Sequence, residues 1–222
     1  MSNSVKAVLF DLDGTLMDTA ADFTTALNQL LIREQRPPLI KDEVRALAGD
    51  GSAGLIRAVF DIPDSDPESE PLRQAMLENY AACLTEKTRL FTGFADLLTW
   101  LDSRTLLWGI VTNKPLRYAR PIVQKLAPAC ATLICPEHVA HPKPSPEGLL
   151  LAAKQLEVDA RTCLYVGDHK RDIEAGQAAG MRTIAACWGY IDPQTDNPAA
   201  WNADYLIDRP ADLQPLIEKL IQ

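Results

Sequence analysis

The chain has 222 residues, of which 47% are hydrophobic and 23% charged, with a formal net charge of −8. This is enough for one large domain or two small ones, in a composition ordinary for a soluble globular protein. The acidic balance excludes general attraction to nucleic acid or an anionic membrane surface, and no apolar run approaches the roughly 18 residues of a membrane span.

The first predicted element is a strand over residues 5–10, which ends in Asp11-Leu12-Asp13-Gly14-Thr15. Residues two apart on a strand tend to project to the same side, so Asp11 and Asp13 are expected to face one crevice, with Gly14 permitting a sharp turn. The segment alone equally fits a polar strand end, with Asp13-Gly14 as a turn and Thr15 or Asp18 capping the next helix.

Helices follow. Apolar residues at Phe23, Leu27, Leu30 and Leu31 predict one over 20–33, and shorter ones are expected over 44–47, 53–60 and 72–84. Gly49-Asp50-Gly51-Ser52 opens the third. Its N–H groups and Ser52 are placed to bind a polar substrate group, or to make an ordinary interhelix turn. Arg45 and Arg57 flank it, as partners for a substrate carboxylate or as surface residues. Residues 61–71 carry three prolines and five acids and read as a solvated loop.

From residue 94 onward strands and helices alternate. Helices are predicted over 94–101, 116–126, 146–155, 173–179 and 213–221, and strands over 106–111, 132–135, 163–166, 183–186 and 205–207. Most of these strands are apolar on successive residues, as expected when both faces are covered. The second strand runs into Thr112-Asn113, where Asn113 is expected to cap the next helix and Thr112 to help bind an anion at its N-terminus. Lys143 lies between two prolines, an extended loop residue when read by itself. The fourth strand ends in Gly167-Asp168, with Asp172 one helical turn on.

The alternation predicts the α/β class: a Rossmann-like parallel sheet core with a helical cap domain inserted after the first strand. Residues 1–18 and 90–222 would form the core and 19–89 the cap, lying over the carboxyl edge where open parallel sheets bind ligands. That edge gathers Asp11, Asp13, Asp168 and Asp172 with one cation, Lys143, leaving three net negative charges. A hard divalent cation, Mg²⁺, relieves such crowding, and a phosphate fills part of its coordination shell.

Four blocks, DLDGT (11–15), VTN (111–113), KPSP (143–146) and GDHKRD (167–172), resemble in type and order the motifs of the haloacid dehalogenase-like hydrolase superfamily, in its phosphoglycolate phosphatase-like branch. The resemblance implies a Mg²⁺-dependent phosphomonoesterase with Asp11 as nucleophile, Asp13 as general acid/base, Thr112 and Asn113 on the transferring phosphoryl group, and Lys143 neutralising charge. It implies metal ligation by Asp11, the Asp13 backbone carbonyl and Asp168, with Asp172 as a direct or outer ligand. Relatives often carry a small polar residue at His169, which reads as an exposed loop residue or a substrate contact. Phosphoglycolate is the implied default substrate. The tail containing Trp188-Gly189-Tyr190 and Trp201-Asn202-Ala203-Asp204 also resembles an N-acetylmuramic acid 6-phosphate phosphatase subgroup, which keeps sugar phosphates in contention.

Two other activities share this chemistry. A sugar phosphate mutase returns the phosphoryl group to sugar, and a receiver module merely holds it on an aspartate. The helical insertion and Asp13 disfavour the receiver. Five cysteines, an odd number without a CxxC pair, argue against a disulfide framework or zinc site. Together with an opening segment unlike a signal peptide, they place the expected monomer or homodimer in the cytoplasm.

Overall fold

The run that opens the chain becomes the middle of a parallel sheet. The computed structural model describes residues 4–192 and 195–221. Strand β1 (Ala7–Phe10) lies between β4 (Leu107–Val111) and β6 (Cys163–Gly167), with Phe10 level with both Ile110 and Val166. Beyond them come β5 (Leu133–Ile134) on one side and β7 (Arg182–Ala186) and β8 (Tyr205–Ile207) on the other, giving the order β5-β4-β1-β6-β7-β8, all parallel.

Alternation along each strand sorts side chains between two cores. Val8, Phe10, Leu164 and Val166 meet Phe94, Leu97 and Leu101 of α5 (Phe94–Ser103), Ile122 of α6 (Leu116–Leu126) and Ile217 of α9 (Leu213–Leu220). Ala7, Leu9 and Tyr165 meet Leu149 and Ala152 of α7 (Glu147–Gln155) and Ala175 of α8 (Lys170–Ala178). With helices on both faces the inner strands β1 and β6 have no solvent side, which is why their sequences do not alternate in polarity. The α/β class expected from the sequence is the one observed.

The chain winds out from β1 in both directions, so the strand order reverses beside it, and the carboxyl ends there form the ligand crevice of an open sheet. Above it lie α1 (Ala20–Arg33), α2 (Lys41–Leu47), α3 (Gly51–Phe60) and α4 (Ser69–Cys83). They share a core of their own, built on Phe23, Leu27, Leu30, Leu55, Ile56, Met76 and Tyr80, which Tyr118 of α6 joins. Phe23 and Tyr80 stack with centroids 4.4 Å apart.

Two details depart from expectation. Helix α4 starts at Ser69, inside the segment read as loop, because Pro71 falls in its first turn, where a missing N–H costs nothing. An antiparallel ribbon, β2 (Met17–Asp18) with β3 (Arg89–Leu90), joins the two chain crossings between sheet and helices. Two-residue strands carry no periodicity to read.

The crossings are also tied by Asp22. It is fully buried in the first turn of α1 and accepts hydrogen bonds from the Lys87 N–H (2.8 Å), the Thr88 N–H (3.0 Å) and the Thr88 hydroxyl (2.5 Å). Asp22→Ala strands buried donors and is expected to cost on the order of 2–4 kcal/mol, read as a lower urea midpoint with unchanged slope.

Candidate active site

Each of the three central strands ends in a polar residue at the same edge, and Lys143 is the post among them. Its side chain is almost wholly buried, with Nζ 2.8 Å from Asp11 Oδ1 and 2.7 Å from Asp172 Oδ1. The ammonium also donates to the Tyr165 hydroxyl (2.8 Å) and the Val111 carbonyl (3.1 Å). Burial pulls the Lys143 pKa down, but the adjoining Asp11 and Asp172 carboxylates outweigh it and hold it above the ordinary lysine value. Asn113 fixes the backbone that carries this lysine. Its amide donates to the Lys143 carbonyl (2.9 Å) and accepts from the Lys143 N–H (3.0 Å).

That clamp corrects one expectation. Asn113 does not cap α6, since both ends of its amide are occupied. The first free N–H of that helix, on Leu116, is taken instead by the Glu137 carboxylate at 3.0 Å. Thr112 is buried at the edge, and its hydroxyl accepts from the Lys114 N–H.

Asp13 faces a different cation. Lys114 Nζ lies 3.0 and 3.1 Å from its two oxygens, and the Thr19 hydroxyl donates to Oδ1 at 2.5 Å. Lys114 is itself buried, over the rings of Phe23 (4.6 Å) and Tyr80 (4.7 Å) from the helical insertion. A second lysine therefore belongs to the site, and four carboxylates face two ammonium groups.

Asp168 sits opposite Asp11. Thr15 donates to one of its oxygens (2.7 Å) and the Tyr190 N–H to the other (2.8 Å). Burial first, then the charges of Asp11 and Asp172, push its carboxyl up to about 8, against the pull of those two donors. Gly14, at φ +80°, and Gly189 press on this carboxylate so closely that a Cβ on either would lie 2.1 Å from an Asp168 atom. Asp172 has both oxygens engaged, one by Lys143 and the other by the His169 N–H at 3.0 Å. His169 is the N-cap of α8, its Nδ1 accepting from the Arg171 N–H. Burial, then the charge of Arg171, lowers the His169 pKa, which favours the neutral ring this bond needs.

Asp11, Asp13, Lys114, Lys143, Asp168 and His169 line the floor of a cavity of about 310 Å³ under the helical insertion, with Asp172 buried behind them. Gly51 and Ser52 stand in its wall at the start of α3, with Phe23, Leu77, Tyr80 and Tyr118 as an apolar side and Arg73 and Arg171 as cations. Arg45 and Arg57 are not in this wall. Arg45 donates to the Trp188 carbonyl across the two layers, and Arg57 pairs with Asp50 and Asp64.

Residues 8–186 match the haloacid dehalogenase-like hydrolase family. The chain belongs to that family. Similar hydrolases include the N-acetylmuramic acid 6-phosphate phosphatase of Pseudomonas aeruginosa, 42% identical over 98% of this chain and 96% of the relative. The phosphoglycolate phosphatase of Xanthomonas campestris pv. campestris is 40% identical over 94% of each chain. Among solved structures, CbbY of Rhodobacter sphaeroides in complex with phosphate superposes with a TM-score of 0.73 at 25% identity, covering 94% of this chain and 96% of that one. These place the hydrolase in the phosphoglycolate phosphatase-like branch.

The donor set of this hydrolase fits a hard divalent cation. Asp11, Asp168 and Asp172 each bring a carboxylate oxygen within 4.8 Å of the others. Burial and then the Asp11 and Asp172 charges raise the Asp168 carboxyl, and a bound cation would offset both. The Asp13 carboxylate is outside this trio, held by Lys114 and Thr19. The ligand expected of Asp13 was its backbone carbonyl, a role its side-chain position leaves untouched.

Reading by residue type overlooked Lys114, Tyr165 and Tyr190. A tyrosine in a strand buried on both faces does carry a signal, because its hydroxyl needs a partner inside. Tyr165 donates to the Val111 carbonyl at 3.0 Å.

The Asp168 shift gives a pH dependence. Between pH 4 and about 8 the native metal-free protein keeps a proton that the unfolded chain has released, so native stability falls as pH rises through that window. Thermal melts in EDTA are expected to show Tm dropping from pH 5.5 to 8, with the slope flattened in Asp168→Asn.

Proposed function

We propose that this protein is a Mg²⁺-dependent phosphomonoesterase that works through an aspartyl-phosphate on Asp11, with a sugar phosphate as substrate. One observation carries the reading. Asp11 and Asp13, two residues apart, are held by different lysines, so one carboxylate stands among cation-binding groups while the other is kept apart from them.

The roles follow from that separation. Asp11 attacks phosphorus as the bond to the leaving alkoxide breaks, and Asp13 in its acid form protonates that oxygen. The Asp13 carboxylate then takes a proton from water as water attacks the aspartyl-phosphate, which frees inorganic phosphate and restores Asp11. Lys143 faces charge developing on the nucleophile and the phosphoryl oxygens, while the Thr112 hydroxyl and the Asn113 backbone orient the transferring group. Asp11, Asp168 and the Asp13 carbonyl, with Asp172 direct or outer, would hold Mg²⁺, which when bound would supply charge neutralisation. Helices α1–α4 act as the cap, with its boundaries at the β2–β3 ribbon, and exclude water when closed.

Cavity size supports the substrate class. A two-carbon phospho-acid would leave most of about 310 Å³ empty, whereas a sugar phosphate fills more of it. With the Pseudomonas aeruginosa relative, this favours N-acetylmuramic acid 6-phosphate. Phosphoglycolate is the second reading, favoured by the similarity to the Xanthomonas campestris enzyme.

Phosphate release with Mg²⁺, measured on N-acetylmuramic acid 6-phosphate, phosphoglycolate and hexose phosphates, is expected to give the highest kcat/KM for the first. Release fastest from phosphoglycolate would reverse the order of the two readings, and a rearranged sugar phosphate without free phosphate would indicate a mutase. Asp11→Asn is expected to abolish turnover with the fold intact by circular dichroism, and Asp13→Asn to slow it by roughly 10²–10⁴.

A further inference from the structure

The cations around the cavity differ in how firmly they are committed. Lys143 is bound by Asp11 and Asp172, and Lys114 by Asp13. Arg171 donates to the Gly49 carbonyl and lies 3.5 Å from Asp50. Arg73 is different. Its guanidinium forms two 2.8 Å hydrogen bonds with Glu70, whose side chain is 66% exposed and stands outside the cavity wall. Because Glu70 is exposed, this bidentate pair is open to water and to exchange for another carboxylate of the same geometry.

The position of Arg73 on α4 sets what it can reach. Arg73, Leu77 and Tyr80 follow the i, i+4, i+7 spacing and form one stripe facing the cavity. Tyr80 is the inner end, with its ring 4.7 Å from the lysine that holds Asp13. Seven residues of helix rise about 10 Å, so Arg73 stands about that far out along the wall from the acid/base end.

We infer that Arg73 is a specificity residue that exchanges Glu70 for a carboxylate at the far end of the substrate, which makes the ligand class a sugar phosphate bearing a carboxylate. This rests on the sugar phosphate reading above. In a two-carbon phospho-acid the carboxylate lies two bonds, about 2–3 Å, from the ester oxygen, far short of that stripe's outer end. A carboxylate carried across a pyranose ring from the phosphate reaches it. Guanidinium is suited to the task because its fork binds both carboxylate oxygens at once.

The test compares two sugars that differ in the carboxylate: N-acetylmuramic acid 6-phosphate and N-acetylglucosamine 6-phosphate. Both are assayed with wild type, Arg73→Gln, Arg73→Lys and Glu70→Gln. In Arg73→Gln the ratio of kcat/KM between the two sugars is expected to fall tenfold or more, carried by KM, with partial recovery in Arg73→Lys. Glu70→Gln, which frees the guanidinium, is expected to lower KM for the carboxylated sugar. If wild type hydrolyses the carboxylated sugar and the ratio is unmoved in Arg73→Gln, the Arg73 assignment is overturned and the sugar phosphate reading stands. If wild type releases no phosphate from either sugar but does so from phosphoglycolate, both fall together.

Discussion

The sheet edge depends on a buried lysine that bridges carboxylates which would otherwise repel one another. Asp168 and Asp172 lie one helical turn apart, but only the pairing of two adjacent strands brings Asp11 to them. Burying such charges costs several kcal/mol per ion unless each is paired. Lys143 offsets part of that cost for Asp11 and Asp172, while Asp168 takes up the remainder as a raised pKa. The three carboxylates thus form a donor set that fits a hard divalent cation.

The same constraint explains the hydrogen bonds around the lysine. A buried ammonium has to be placed accurately to serve two carboxylates at once, and Asn113 clamps its backbone while Tyr165 and the Val111 carbonyl take its remaining donor capacity. The glycines have a matching reason. Gly14 and Gly189 allow the backbone to press against Asp168, and any side chain there would displace the carboxylate.

Asp13 links this chemistry to the helical layer. Lys114 reaches from the strand edge to Asp13 and simultaneously lies over Phe23 and Tyr80, so the cation that positions the acid/base candidate is also packed against the helices above. Tyr190 makes a second link. Its N–H holds Asp168, while its hydroxyl accepts from the Thr19 and Ala20 N–H groups at the start of α1. Separating the layers would therefore disturb groups on both sides of the cavity.

The strands, most helices and the cluster of Asp11, Asp168, Asp172 and Lys143 were legible because each is a local signal: an apolar run stopped by an acid, a glycine turn, a lysine between prolines. Burial on both faces made the strands continuous, and a parallel sheet needs crossover helices, so the α/β class followed from sequence alone. Lys114, Arg73 and the task of Asn113 were decided only by tertiary structure. Lys114 is 101 residues from Asp13 and Asn113 is 30 from Lys143, and nothing in either neighbourhood records the partner. Which cation meets which carboxylate depends on how strands are ordered and helices laid across them, because charge acts through distance in space rather than separation along the chain.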